Sequence, residues 1–278
     1  MAAGDFIAPE VFGDLTQAAF TGKVKVLGST AVLEDNTLVG QPGETISFPK
    51  WGALSDLDDL TIGVAMTPVE LEQTKSSATI KEAGKAVKIN DRDKLTMLGG
   101  VGAAENEAIR QFGVLAARKI DGDLITEAIS AAPVARTVTA SAGQTTLSWA
   151  RLVSLFAKFG DEFDAAEFAG IYINSAQMAD VFADTTFIET AKIGDSSVLR
   201  RGVIGTLGGI PVQISDRITA KTVLAIKERS LGALYKRRPL VESDRDILAR
   251  QDVYATNVHY AVKAINPLGI GKLVLAAS

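Results

Sequence analysis

The sequence predicts a mixed α+β fold, and two kinds of pattern carry this prediction. In the stretch Gly99–Ser130, apolar residues recur at steps of three and four, which is the period of one helix face. Several shorter stretches alternate polar and apolar residues, or stay apolar for five or six positions, as strands do. No strand–helix–strand repeat and no 20–50-residue repeat is present, so a regular α/β or solenoid architecture is disfavoured.

Composition limits the classes of protein to consider. The chain has 278 residues, 47% of them hydrophobic, which is enough for one large domain or two modest ones with a sizeable core. A formal net charge of −4 disfavours tight generic binding to nucleic acid, which needs a basic surface. There are no cysteines, so neither disulfides nor thiolate metal sites contribute. Neither a signal peptide nor an apolar run of roughly 18–20 residues is found, so we expect a soluble protein.

Residues 1–43 predict an extended N-terminal arm. Glycine and proline interrupt this region often, and a short amphipathic helix is expected at Glu10–Phe20. The arm contains scattered apolar residues that favour packing against another surface: Phe6, Ile7, Val11, Phe12 and Phe20. The alternative is an unpacked terminus, which would be poorer in Phe, Val and Ile.

Residues 44–91 predict a long two-stranded excursion. Glu44–Phe48 alternates as a half-buried strand, and Pro49 is expected to end its hydrogen bonding. Ser76–Asn90 resembles two short strands around a turn at Glu82–Gly84. Such a hairpin cannot bury enough surface to be stable alone, so it needs a partner elsewhere in the chain or on a neighbouring subunit.

The predicted helix is long and has two apolar faces. At ~1.5 Å per residue, about 28 residues make a rod of roughly 40 Å. One stripe comprises Ile109, Phe112, Gly113, Ala116, Ile120 and Leu124, and a shorter second face comprises Val114, Leu115, Ile125 and Ile129. A rod of this kind is expected to be a spine against which other layers pack.

The remaining elements are a mixture of strands and short helices. Helices are predicted at Trp149–Phe159 and Ser175–Phe182, and Thr185–Gly205 is expected to be a loop. Strands are predicted at Phe168–Ile173, Ile210–Ile214 and Thr222–Ile226, and alternation extends over Gln251–Leu275.

Residues that could support catalysis or metal binding are few. The single histidine, His259, lies in an alternating strand pattern, which favours a structural role. Asp56, Asp58 and Asp59 resemble a calcium loop only loosely, because the glycine and the twelfth-position glutamate are missing, so a solvated acidic turn is favoured. Gly100–Gly102 does not fit a dinucleotide loop. The sequence therefore predicts no catalytic, cofactor or metal site.

One dense basic cluster is present, Lys236–Arg238. It is followed by Glu242, Asp244 and Asp246, so charge pairing within or between subunits is the favoured interpretation, and contact with nucleic acid is the alternative.

Two stretches are similar to the major capsid proteins of tailed bacteriophages. In Gly205–Asp216, a glycine-rich turn leads into an Ile-Pro-Val strand that ends in Ser-Asp, and Ala78–Leu124 joins a returning strand to the long helix. The order of parts also resembles the Hong Kong 97-type capsid fold over almost the whole chain. The resemblance implies an N-terminal arm at 1–43, an extended β-hairpin loop at 44–92, a peripheral domain with the spine helix at 93–150, an axial domain at 151–230, and returning peripheral strands at 231–278.

The resemblance also implies a function and partners. The chain would be a virion structural protein whose hexamers and pentamers form an icosahedral or prolate head around double-stranded DNA, without sequence-specific DNA binding and without a membrane. A separate scaffolding protein, a portal protein and a decoration protein would be further partners, with assembly in the host cytoplasm. The expected inter-subunit contact residues are Trp51, Asp56, Asp58, Asp59, Lys236, Arg237 and Arg238. The alternatives are an encapsulin-like compartment shell and an α+β enzyme without a recognisable motif.

Overall fold

The computed structural model describes residues 24–36, 42–52, 68–96, 102–184 and 206–276, together with seven isolated positions between 39 and 66. Twelve strands lie in this part of the chain. They are β1 Val32–Asp35, β2 Thr45–Trp51, β3 Gln73–Thr79, β4 Lys81–Asn90, β5 Thr137–Thr139, β6 Phe168–Ile173, β7 Thr206–Leu207, β8 Ile210–Ile214, β9 Thr222–Lys227, β10 Leu231–Asp246, β11 Gln251–Ala264 and β12 Ile270–Val274. The α-helices are α1 Asp91–Thr96, α2 Ala103–Ala131, α3 Trp149–Phe156 and α4 Met178–Ala183.

The spine helix α2 packs against a four-stranded sheet. The sheet has the order β1-β10-β11-β4, with β1 parallel to β10 and the other pairs antiparallel. The predicted stripe is confirmed, because Ile109, Phe112, Ile120 and Leu124 are all buried. The helix ends at Ala131, just before Pro133, which cannot continue it.

A six-stranded sheet forms the second layer, with the order β5-β12-β9-β6-β8-β7. The predicted strands at 168–173, 210–214 and 222–226 are all confirmed here. One face of this sheet shares an apolar core with the spine helix, and Tyr172 and Ile226 belong to that core. The other face packs against α3 and α4 in a separate core that includes Leu155 and Val181.

The glycine-rich motif forms the turn between β7 and β8. Gly208 and Gly209 have φ of +60° and +86°, and they connect Leu207 to Ile210, which pair across the two strands. A two-residue hairpin turn with positive φ at both positions follows the twist of the strands and favours glycine. In the Gly-Gly-Ile-Pro-Val sequence, the two glycines therefore provide the backbone conformation of the turn, and the residues after them form strand β8.

Two predictions within the hairpin region are wrong. Strand β2 does not end at Pro49 but continues to Trp51, which pairs with Gln73. Among the described residues β2 has β3 as its only neighbour, and a strand with one free edge tolerates a residue without an N–H. The predicted turn at Glu82–Gly84 is instead the interior of β4, and the break between strands falls at Ile80.

The six-stranded sheet takes strands from three separate parts of the chain. Strand β12 lies within 231–278 and β5 within 93–150, yet both belong to the six-stranded sheet with the strands of 151–230. The alternating stretch Gln251–Leu275 is therefore shared, with β11 in one sheet and β12 in the other. The helix predicted at Glu10–Phe20 and the loop predicted at Thr185–Gly205 lie outside the described residues.

Candidate assembly surfaces

The extended hairpin presents apolar side chains to solvent. Strands β2 and β3 pair antiparallel from Thr45–Thr79 to Trp51–Gln73, and the Gly52 N–H donates to the Glu72 carbonyl 2.8 Å away. Beyond this point five large apolar side chains are each more than half exposed: Leu54, Leu57, Met66, Val69 and Leu71. The part of the chain that the structure describes does not cover them. These exposed apolar side chains form a candidate contact surface, because burying them against another molecule is favourable.

The base of the hairpin is anchored through β4. This strand pairs with β11 over ten residues, and Asp123 of the spine helix accepts hydrogen bonds from Tyr260 at 2.7 Å and Lys119 at 2.9 Å. Burial works against the charged form of Asp123, but the hydrogen bonds from Tyr260 and Lys119 outweigh it and lower its pKa. Lys81 at the start of β4 adds an ion pair to Asp123 at 3.5 Å. The hairpin therefore extends from a rigid base.

The second face of the spine helix is covered over only part of its length. Toward the C-terminal end Ile125 is 1% exposed, and Ile129 packs against the core. Toward the N-terminal end Leu115 is 40% exposed and borders a groove of about 500 Å³. Strand β4 forms the other wall of this groove, with Lys85 and Lys88 on it. In the part of the chain that the structure describes, Leu115 on the N-terminal half of the second face is thus only partly covered.

The described part of the N-terminal arm is bound to the fold. Val26 and Leu27 are buried, and both of their N–H groups donate to one oxygen of Asp121 on the spine helix, at 2.9 and 3.1 Å. Strand β1 then joins the edge of the four-stranded sheet. Residues 24–35 of the predicted arm therefore pack against the fold. The apolar residues on which the prediction of a packed arm rested lie outside the described residues, so for them it stays a prediction: Phe6, Ile7, Val11, Phe12 and Phe20. Sequence patterns did not indicate Asp121, because an aspartate among Lys119, Gly122 and Asp123 resembles a solvated helix face.

The basic cluster Lys236–Arg238 lies on an irregular part of β10, where the register with β11 shifts on both sides of Arg237. Arg237 pairs with Glu242 at 2.8 Å, as the sequence predicted. Lys236 donates to the Gly43 carbonyl at 2.6 Å, and Arg238 donates to the Asn36 side chain at 3.2 Å. The cluster therefore holds the end of the arm within one chain, and its role between subunits stays a prediction.

The acidic candidates are located only in part. Asp59 is exposed, while Asp56 and Asp58 lie outside the described residues. The backbone of Trp51 ends β2, and its side chain also lies outside the description. His259 is in β11 with Glu82 3.7 Å away on β4, which agrees with a structural position.

Buried tyrosines reinforce the joins between layers. The Tyr172 hydroxyl donates to Ser29 of the arm at 2.8 Å, and the Tyr254 hydroxyl donates to Glu105 of the spine helix at 2.7 Å. Burial raises the pKa of Tyr172 to about 12. Burial, together with the hydrogen bond to Glu105, raises the pKa of Tyr254 to about 12. Both rings therefore stay neutral at physiological pH and act as hydrogen-bond donors.

An arm, an extended hairpin, a spine helix and two sheets, in this order along the chain, define the Hong Kong 97-type class of phage capsid folds. The chain belongs to the phage capsid protein family, whose sequence pattern matches residues 73–273. It is 29% identical to a major capsid protein of Staphylococcus phage phiMR11 over 256 residues, which are 91% of this chain and 88% of the relative.

Solved structures share the fold at low sequence identity. The capsid structure of cyanophage P-SCSP1u aligns with a TM-score of 0.71 at 14% identity, covering 100% of this chain and 93% of the other. The SrpI encapsulin of Synechococcus elongatus aligns with a TM-score of 0.55 at 12% identity, covering 73% of this chain and 77% of the other. The predicted fold class and the prediction of a phage capsid subunit are confirmed. The comparisons support a phage capsid subunit better than the alternative of an encapsulin-like shell.

None of the described helices combines the length and the apolar character that a membrane span requires.

Proposed function

We propose that this chain is the major capsid protein that closes, as hexamers and pentamers of itself, into the head shell around the double-stranded DNA of a tailed phage. The observation that carries the proposal is the extended hairpin. It exposes five large apolar side chains, and among the described strands β2 and β3 pair only with each other. Apolar surface of this kind finds its partner on a neighbouring copy, and many moderate interfaces of this type hold a shell together.

The arrangement fits a structural role and not catalysis. Within the described residues, no group of three or more histidine, aspartate or glutamate side chains is arranged to hold a metal. Several polar contacts among the described residues join one element to another, such as Asp123 with Tyr260 and Glu105 with Tyr254. Membership of the phage capsid protein family also favours a structural subunit without enzymatic activity.

Further partners follow from the same proposal. We propose a separate scaffolding protein, a portal protein and a decoration protein as these partners, because the resemblance to tailed-phage capsid proteins implies them. A formal net charge of −4 suits a wall past which packaged DNA slides without adhering.

The deletion of residues 54–66 tests the proposal. It removes three of the five exposed apolar side chains, Leu54, Leu57 and Met66, and leaves β2, β3 and the base on β4 intact. We expect a folded, soluble subunit that no longer assembles, seen by electron microscopy and analytical ultracentrifugation beside uniform shells from the unmodified chain. A matched control replaces Val134, which is 91% exposed but outside the hairpin, by serine.

Normal shells from the deletion variant would show that the hairpin does not join subunits. Small discrete oligomers from the unmodified chain would contradict the shell itself. Shells that contain protein cargo in place of DNA would favour the encapsulin alternative.

A further inference from the structure

A groove of about 500 Å³ runs between strand β4 and residues 104–115 of the spine helix. We refer to it as the spine groove, and the described residues do not fill it. Its floor is apolar, with Phe112 and Ala108 buried and Leu115 40% exposed at one end. An apolar groove along a helix is suited to receive the apolar face of a second helix.

The unpaired charge at the spine groove is basic. Lys85 and Lys88 of β4 are exposed beside it, and among the described residues neither forms an ion pair. The acidic groups at the groove already have partners: Glu107 lies 2.6 Å from Arg110, and Asp93 accepts a hydrogen bond. The β4 side of the groove therefore favours an occupant that carries carboxylates along one edge.

The chain itself contains a segment of this kind. Residues 1–22 lie outside the described residues, and they include three acidic residues but neither lysine nor arginine. At 3.6 residues per turn, the helix predicted at Glu10–Phe20 places Glu10 and Asp14 together on one side. Its apolar side comprises Val11, Phe12, Leu15, Ala18 and Ala19. The predicted helix therefore matches the groove in both apolar character and charge.

This segment is tethered close to the spine groove. Val26 and Leu27 are hydrogen-bonded to Asp121, which follows Leu115 by six residues, or about 9 Å along the helix. Asp121 and Leu115 also differ by about a third of a turn around the helix. The five residues between Phe20 and Val26 span roughly 17 Å when extended, which is enough to cover both displacements.

The lengths of the groove and of the predicted helix agree. The spine helix advances about 16 Å from Ala104 to Leu115, and a helix over Glu10–Phe20 is also about 16 Å long. Because the tether joins at the Asp121 end, Phe20 would lie near Leu115. The two helices would therefore run parallel.

We propose that the predicted helix Glu10–Phe20 docks into the spine groove of its own chain, with its apolar side on Leu115 and its carboxylates beside Lys85 and Lys88. The contact concerns the unassembled subunit and covers apolar surface before subunits meet. A short tether gives an effective concentration of roughly millimolar, so at micromolar protein the chain's own segment outcompetes that of another copy.

Disulfide trapping tests this contact directly, because the chain contains no cysteine. In the parallel arrangement Ala19→Cys lies beside Gln111→Cys, an exposed position on the groove. Unassembled subunits of this double variant are oxidised mildly at roughly micromolar concentration, and their peptides are mapped by mass spectrometry. We expect the disulfide within one chain to predominate over the disulfide between two chains. Ala19→Cys with Val134→Cys, which is exposed beyond the far end of the spine helix, is the matched control.

A second pair, Val11→Cys with Ala104→Cys, guards against a first pair that fails to fold and tests the other end of the groove. Disulfide yields no higher than the control at both pairs would overturn the inference, as would disulfides that only join two chains. Either result would leave the proposed function standing, because shells of the unmodified chain are scored separately. Trapping within one chain, without shells from the unmodified chain, would overturn the proposed function and support this inference.

The contribution of charge has its own readout. Adding Lys88→Glu to the Ala19→Cys and Gln111→Cys pair should lower the disulfide yield about two- to fivefold at low salt, as expected for one exposed ion pair. The difference should shrink at high salt. Lys75→Glu, at an exposed position on β3 outside the groove, is the matched control. Equal yields in the two lysine variants would overturn the charge argument for this occupant.

Discussion

Asp121 is a buried carboxylate, 4% exposed, in the middle of the spine helix. One of its oxygens accepts hydrogen bonds from the backbone N–H groups of Val26 and Leu27, which are more than 90 residues away in the sequence. These two residues begin the described part of the arm and contribute apolar side chains to the main core. Asp121 is therefore one of the side chains that fix the arm on the spine helix.

Replacing Asp121 by alanine should destabilise the chain by about 2–4 kcal/mol, because two buried N–H groups lose a charged acceptor. Asp121→Asn should cost less, since an amide oxygen can still accept both bonds. Urea unfolding of unassembled subunits measures the difference. Glu107→Ala, which removes an exposed carboxylate from the same helix, should leave the midpoint nearly unchanged. Equal losses for the alanine and asparagine variants would contradict the hydrogen-bonding explanation.

At the scale of elements, β4 connects the hairpin to the fold. It pairs with β11 from Lys81–Tyr260 to Asn90–Gln251, and Gly84 lies opposite Asn257 within this ladder. A Cβ atom on Gly84 would come within 2.7 Å of the Thr256 carbonyl oxygen. Glycine is thus required by a close approach of two backbones and not by a turn, which is why the prediction of a turn at this position was wrong.

Gly84→Ala should destabilise the β4–β11 pairing by about 1–3 kcal/mol, because the added methyl group forces the two backbones apart. Hydrogen exchange of the β4 amides measures the local effect, and thermal unfolding measures the global one. Gly102→Ala is the control, because the nearest atom to its added Cβ is 4.0 Å away. Unchanged exchange in β4 after Gly84→Ala would show that the strand relaxes at no cost.

At the scale of the whole molecule, contact with DNA depends more on where the charged side chains lie than on the net charge. The chain is slightly acidic, with a formal net charge of −4, and its one dense basic cluster is engaged with the arm and with Glu242. We therefore expect the proposed shell to enclose DNA by its geometry and not by affinity for it.

We expect the unassembled subunit to bind a 30-base-pair duplex more weakly than the roughly 10⁻⁴–10⁻⁶ M that is typical of non-specific DNA-binding proteins at physiological salt. Fluorescence anisotropy with labelled duplex measures this. Glu242→Gln frees Arg237 from its ion pair and should increase the affinity slightly at low salt. Tight binding by the unmodified chain would contradict the view of the basic cluster as an intramolecular contact.

The sequence by itself determined the elements whose signals are local. The spine helix was predicted at 99–130 and found at 103–131, and the strand at 168–173 was found with the same bounds. Apolar periodicity, Pro133 and the paired glycines at 208–209 act within a few residues of the structure that they specify. The resemblance to phage capsid proteins also depended on such local stretches and on their order.

Only the tertiary structure decided how these elements are shared between layers. Strand β12 follows β11 in the sequence but lies in the other sheet, and alternation in the sequence is the same whichever neighbour a strand has. Asp121, Gly84 and Asp123 likewise owe their roles to partners far along the chain. Pairing, burial and charge compensation are properties of groups brought together by folding, so patterns of neighbouring residues do not contain them.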